Sequence, residues 1–192
     1  MANLLRAIVE TPDIIASQYQ ALWEAQVYDP REFYDKTRRD FNQSKLPELF
    51  LYLLARCVKG SVRYNSQGEF NQSPDNRRLG MLPETMRLQI LGISRVLKGR
   101  TRISSVDFRE ALQEVTSADL VYMDPPYQGV CGNHDTRYLQ SVQFRDFAEA
   151  LRALNTRQVR YIVSYDGRTG DKTHGDVLPE DLDLMLIELY AG

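Results

Sequence analysis

The sequence predicts an α/β fold in which a parallel sheet follows a mainly helical segment. Two observations carry this, and a third bears on what the chain binds. From about residue 102 onward, short β-rich runs alternate with helical patterns, the arrangement that builds parallel sheets with helices on their faces. Before that point, apolar residues recur mostly at three- and four-residue spacing. The charge divides along the chain as well: residues 31–102 carry 15 Lys and Arg against 7 Asp and Glu, and the remainder carries 9 against 19.

Residues 3–26 place Leu4, Leu5, Ile8, Ile14, Ile15, Leu22 and Trp23 on a helical period, restarted at Thr11-Pro12-Asp13 where proline suits a first turn. Pro30 opens a second helical stretch to about Arg39. Leu46 to Val58 is the most apolar helix of the chain and is expected to be buried on most sides. Gly60 to Gln72 then reads as strand, turn and strand, with Gly68 at a position that needs positive φ. Pro74 to Pro83 is a loop and Glu84 to Leu97 a helix. A short strand near Arg102–Ser104, a helix Asp107–Glu114 and a strong strand Asp119–Met123 follow. After a loop of about 17 residues come a helix Phe144–Asn155, a strand Val159–Ser164 and a last strand Leu184–Tyr190.

Several classes are excluded by composition. No run of about 18 apolar residues spans a membrane, and the first residues lack the pattern of a signal peptide. Cys57 and Cys131 are too few and too far apart for a disulfide framework or zinc ribbon, and fit a reducing cytosol. His134 and His174 have no ligand spacing, so no metal site is expected. The net positive block within an acidic chain is the footprint of a phosphate-binding surface.

The sharpest chemical signal is Asp124-Pro125-Pro126-Tyr127, directly after the strand Leu120–Met123. At average residue usage such a tetrapeptide arises by chance in about one of a thousand chains of this size. In parallel sheets, ligands sit beyond the carboxyl ends of strands. The residue set suits one task. An exocyclic amine on a nucleobase is a poor nucleophile because its lone pair is delocalised into the ring. The Asp124 carboxylate and the Pro125 carbonyl can accept both amine hydrogens and favour a tetrahedral nitrogen. Proline adds an acceptor without an unsatisfied donor and fixes φ. The Tyr127 face can stack on a base flipped out of a duplex.

With these residues in order, the sequence resembles the DNA adenine N6-methyltransferases of the DNA adenine methylase type. Arg63-Tyr64-Asn65-Ser66-Gln67-Gly68-Glu69-Phe70-Asn71 resembles that family's R-x-N-x-x-G-x-F-N segment, part of its DNA-recognition hairpin. Ser105-Val106-Asp107-Phe108 is similar to its D-F motif, which helps bind the adenine of S-adenosylmethionine, and Ile162-Val163-Ser164-Tyr165-Asp166 resembles the strand after DPPY. The resemblance covers about residues 45–170. It implies a partial Rossmann-like methyltransferase sheet from residues 1–30 and 98–192, and a mainly helical DNA-recognition insert over 31–97 carrying the hairpin. It implies S-adenosylmethionine as methyl donor, with Asp107, Phe108 and Asp124 as cofactor contacts and no metal, because the donor itself supplies the electrophile. It further implies double-stranded DNA as substrate in the cytoplasm of a bacterial, archaeal or phage-infected cell.

On this reading Asp124, Pro125, Pro126 and Tyr127 are the catalytic residues. Arg63, Tyr64, Asn65, Gln67, Phe70 and Asn71 face DNA, with Arg63 suited to guanine and Asn65, Gln67 or Asn71 to adenine. Arg77, Arg78, Lys98 and Arg100 are expected to contact phosphates.

The family's lysine-containing segment, its strand into F-x-G-x-G and its acidic ribose-binding residue have no counterpart in this sequence. Gly167-Arg168-Thr169-Gly170 follows the wrong strand and reads as a turn. The expectation is a target-base half, truncated or split, completed by a chain that carries the glycine loop. Two alternatives stand beside it: a non-catalytic DNA-binding or specificity subunit, and a methyltransferase acting on RNA bases or glutamine amides. The loop Gln128–Gln140, with Gly129 and Gly132, is expected to be mobile and to close over the flipped base, the alternative being an ordinary surface loop.

Overall fold

The computed structural model describes residues 1–126, 142–166, 168–169 and 172–189. Tyr127, the loop Gln128–Gln140, the Gly167 and Gly170 ends of the expected turn, and Tyr190 lie outside the described residues. The chain forms two compact units, Met1–Ser105 and Val106–Gly192.

The first unit contains α1 (Ala2–Glu10), α2 (Pro12–Ala25), α3 (Pro30–Ser44), α4 (Pro47–Arg56) and α5 (Pro83–Leu97). Four of these helices start with proline at the first turn, where its missing N–H leaves nothing unsatisfied and its φ is already helical. The Asp29 carboxylate caps α3 by accepting from the Glu32 amide at 3.0 Å. Helix α4 touches α1, α2 and α3, and its consecutive Phe50, Leu51, Tyr52 and Leu53 are all buried, as its unbroken apolar sequence predicts. The core joins Leu4, Ile8, Ile15 and Tyr19 to Tyr34, Phe41, Phe50, Phe70 and Ile90. Residues 1–30, which the expected division groups with 98–192, therefore share the core of the helical unit.

The expected strand–turn–strand over 60–72 is a narrow hairpin. Tyr64 and Phe70 form a single antiparallel bridge. The Asn65 amide donates to the Glu69 carbonyl at 2.9 Å, and the Asn71 amide to the Arg63 carbonyl at 2.8 Å. Gly68 adopts φ 75° at the turn, a conformation open to glycine without a Cβ penalty.

The second unit holds α6 (Phe108–Ala111), β1 (Leu120–Met123), α7 (Phe144–Thr156), β2 (Arg160–Val163) and the two-residue strands β3 (Arg168–Thr169) and β4 (Lys172–Thr173). β1 and β2 pair in parallel, Leu120 opposite Arg160 through Met123 opposite Val163. Helix α7 packs beneath them: Phe147, Leu151 and Leu154 join Val159 and Leu182, with Val121, Met123, Tyr161 and Val163 against them. The alternation of a strand puts the other side chains on the opposite face, where Leu120, Tyr122 and Ile162 are 62%, 65% and 55% exposed. The architecture is mixed α/β, and among the described residues no helix is long and apolar enough to cross a membrane.

Three expected elements differ. Arg102–Ser104 forms no strand, because the Ile103 carbonyl is taken by the Arg6 guanidinium at 3.1 Å rather than by a neighbouring strand. The helix expected to run to Glu114 stops at Ala111. Beyond it, the Arg157 guanidinium donates to the carbonyls of Leu112, Gln113 and Val115. Residues 184–189 carry no regular structure; they have strand composition but no pairing partner among the described residues.

Candidate functional site

In the second unit, the carboxyl ends of β1 and β2 bring two sequence segments side by side. The Ser164 amide donates to the Met123 carbonyl at 2.8 Å, continuing the parallel ladder one step past the strands. Asp124-Pro125-Pro126 and Ser164-Tyr165-Asp166 therefore leave the sheet at the same end. Asp124 is exposed, Pro125 and Pro126 half-buried, and no ion pair engages the Asp124 carboxylate among the described residues. An exposed carboxylate at a strand end, unpaired among the described residues, can accept hydrogen bonds from a ligand. Tyr127, expected to complete the set, lies outside the described residues.

The D-F segment joins this end through a line of rings. Phe108 lies 6.4 Å from Phe147, which stacks on Tyr165 at 6.1 Å and 7° between planes. Phe147 has no signal in the sequence beyond its place on the apolar face of α7, so it reads there as ordinary core. Burial, with the nearby Asp166 and Asp176 charges, pushes the Tyr165 hydroxyl up to about 12, and this hydroxyl has no hydrogen-bond partner among the described residues. Asp107 is less free than expected. Its carboxylate caps α6, accepting from the Arg109 amide and from Arg109 Nε, both at 2.9 Å. The Arg109 guanidinium also reaches Asp146 at 3.2 Å. The bond from Arg109 holds the Asp107 carboxyl below the usual carboxylate range.

Gly175 is a second feature that the sequence does not signal. It sits at φ 71°, and a Cβ there would stand 2.4 Å from Asp166 Oδ2. The Asp166 carboxylate thus lies against bare backbone, which only glycine leaves open.

The basic residues belong to the first unit. Arg63, Gln67 and Asn71 of the hairpin are exposed and Tyr64 is half-buried. Phe70, expected at the DNA face, is a core residue at 1% exposure, ringed edge-to-face by Phe41, Phe50 and Tyr64. Asn42 of α3 holds the Phe70 amide and carbonyl, which sets the ring against Phe41 and Phe50 inside the bundle. Asn65 is also spent internally: Oδ1 accepts the Gln67 and Glu69 amides, and Nδ2 donates to the Glu69 carboxylate. Its amide edge is consumed by the turn and is not open to an adenine. Arg77 and Arg100 are exposed, and Lys98 Nζ donates to the Glu10 carbonyl at 3.2 Å. The Arg78 side chain is 83% exposed, 3.4 Å from Asp75.

Among the described residues no group of three or more His, Cys, Asp and Glu side chains is placed to hold a metal ion. Comparison with known proteins agrees with the chemistry of the strand end. The family model for D12 class N6 adenine-specific DNA methyltransferases matches residues 1–188. Relatives include the type II methyltransferase M.MjaIII of Methanocaldococcus jannaschii, 28% identical over 146 residues, covering 70% of this chain and 50% of that protein. The retron Ec67 DNA adenine methylase of Escherichia coli is 28% identical over 142 residues, covering 71% of this chain and 48% of that protein. The chain spans about half the length of these curated relatives.

Proposed function

Because the chain belongs to the D12 class of N6 adenine-specific DNA methyltransferases, we propose that it serves methyl transfer to the N6 amine of an adenine flipped out of double-stranded DNA. The observation that carries this is the emergence of Asp124-Pro125-Pro126 beside Ser164-Tyr165-Asp166 at the carboxyl end of the parallel pair. The Asp124 carboxylate and Pro125 carbonyl accept the two amine hydrogens, pulling the nitrogen toward a tetrahedral shape with its lone pair exposed. Tyr127 stacks on the base.

The donor set at this end fits S-adenosylmethionine: an exposed carboxylate, Asp124, suits a cationic group, and the half-buried Phe108 ring offers an apolar face. Asp107, Phe108 and Asp124 would hold the cofactor, with Asp107 acting through a carboxylate already oriented by Arg109. When bound, S-adenosylmethionine supplies an electrophilic methyl group on sulfur and leaves as a neutral thioether. Aligning the amine and accepting its hydrogens is the protein's share.

The parallel pair is part of a Rossmann-like sheet in the second unit, and the basic helical segment over 31–97, whose core residues 1–30 share, is the DNA-recognition element. A glycine-rich cofactor loop, borne by a segment or chain outside residues 1–192, completes the sheet. The apolar face of Leu120, Tyr122 and Ile162 supports this, since parallel sheets are ordinarily covered on both sides. The place of action is the cytoplasm of a prokaryotic or phage-infected cell.

The test is transfer of a tritiated methyl group to duplex DNA by the full chain, alone and with a complementary chain. Transfer abolished by Asp124→Ala is the expected outcome; undiminished transfer by that variant overturns the assignment. Tight binding of S-adenosylmethionine by this chain alone, measured by titration calorimetry, overturns the need for a complementary chain. A second reading, a DNA-binding subunit without catalysis, is favoured by the self-contained core under the basic residues. It requires Arg63→Ala or Arg77→Ala to lower DNA affinity and its salt dependence, with no transfer under any pairing.

A further inference from the structure

Arg56 lies at the end of α4, 3% exposed, and no carboxylate pairs with it among the described residues. A buried guanidinium is costly unless its donors are satisfied, yet Nε has no acceptor among the described residues. Beside the buried Tyr52 hydroxyl, Arg56 meets backbone: Nη1 donates to the Asp75 carbonyl at 2.9 Å and also to the Arg78 carbonyl. Its own carbonyl accepts the Asp75 amide at 2.7 Å. Two further side chains treat the same loop alike. Gln26, fully buried and fixed by the Tyr52 hydroxyl at 2.9 Å, donates to the Leu79 carbonyl at 2.9 Å. The buried Tyr19 hydroxyl donates to the Met81 carbonyl at 2.6 Å.

Four carbonyls of residues 75–81 are thus drawn into the helical unit by three buried donors. The turn between them leaves Arg77 and Arg78 exposed, the latter at 83%. An apolar residue at position 56 would serve packing with less desolvation. The cost is explained if the loop must be held in one shape.

We propose that Arg56 is a positioning residue for DNA: with Tyr19 and Gln26 it clamps the 75–81 loop from inside, so that Arg77 and Arg78 stand at fixed points to meet backbone phosphates. This deepens the DNA-binding reading above and rests on it. A loop held in its binding conformation spends less binding energy on ordering, so loss of the clamp weakens affinity only through the two loop arginines.

The test is a double-mutant cycle on the full chain, with duplex DNA affinity measured against salt. Arg77→Ala with Arg78→Ala should reduce the salt slope by about 1.8, two phosphate contacts' worth. Arg56→Met should weaken binding about fivefold when both loop arginines are present and by less than about 1.5-fold when both are alanine. Arg56→Lys, which keeps a charged donor, should restore part of the loss. Amide hydrogen exchange should rise at residues 75–81 in Arg56→Met without DNA. Should that variant fail to fold, Tyr19→Phe removes one donor, keeps the ring and must show the same coupling in smaller measure. A salt slope unmoved by the arginine pair overturns the DNA reading and this proposal with it. A normal arginine effect, with Arg56→Met and Tyr19→Phe acting equally in both backgrounds, overturns the positioning role alone.

Discussion

Replacing Phe70 separates a DNA-stacking aromatic from a core aromatic. The ring is 1% exposed and meets Phe41 at 6.0 Å, Phe50 at 6.1 Å and Tyr64 at 6.5 Å, each nearly edge-on. The backbone beneath it is pinned separately: Asn42 donates to the Phe70 carbonyl at 3.0 Å and accepts its amide at 2.8 Å. Phe70→Ala therefore leaves the hairpin anchored over a cavity that the bundle cannot easily close. Such truncations cost about 3–5 kcal/mol, and with a denaturant slope of about 2 kcal/mol per molar urea the midpoint falls by about 2 M. Urea unfolding followed by circular dichroism reads this directly. Phe70→Leu, at about 1 kcal/mol, keeps enough folded protein to measure DNA affinity, which should stay within about twofold of the parent. An unmoved midpoint together with a tenfold or greater loss of affinity would refute the core assignment and return the ring to the DNA face.

Tyr34→Phe removes a buried hydroxyl that donates to the Gln72 carbonyl at 2.9 Å, leaving that acceptor, among the described residues, with Arg38 at 3.4 Å; a loss of about 1–1.5 kcal/mol is expected by the same unfolding assay. Gly175→Ala puts a methyl 2.4 Å from Asp166 Oδ2 at φ 71°, so methyl transfer should fall while DNA affinity holds; equal activity in both proteins would show that Asp166 has no part at the strand end. Asp107 and Asp181 both have carboxyls held low by arginine partners. Their folded pKa lies below the unfolded value of about 3.9, so their contribution is present above that pH and is lost as pH falls through the folded value. Acid unfolding should therefore begin earlier in Arg152→Gln, which frees Asp181, and a coincident acid limb would contradict this.

Much of the fold was legible because local chemistry agreed with tertiary structure. Pro12, Pro30, Pro47 and Pro83 start helices whether or not anything packs on them, and the four-residue apolar run after Asp119 forms the expected strand, half-buried on one face and exposed on the other. The site was legible at Asp124 because two prolines after a strand are rare enough to stand out. Strands were misread where composition was asked to do a partner's work: Ile103 and Leu184–Leu189 are β-rich, but a strand forms only beside another strand. Phe147 and Gly175 were invisible for a different reason, since their roles consist of what stands beside them.

Sequence alone determined the helix starts, the parallel reading of β1 and β2, the motif at the strand end and the concentration of positive charge over 31–102, because each depends on neighbours along the chain. Tertiary structure decided that Phe70 faces inward, that Asn65 spends both ends of its amide on its own turn, and that Asp107 is already held by Arg109. It also decided that Arg56 turns toward a loop about twenty residues away. These are contests between partners for the same hydrogen bonds or the same buried space, and their outcome rests on distances through space that spacing along the chain does not encode.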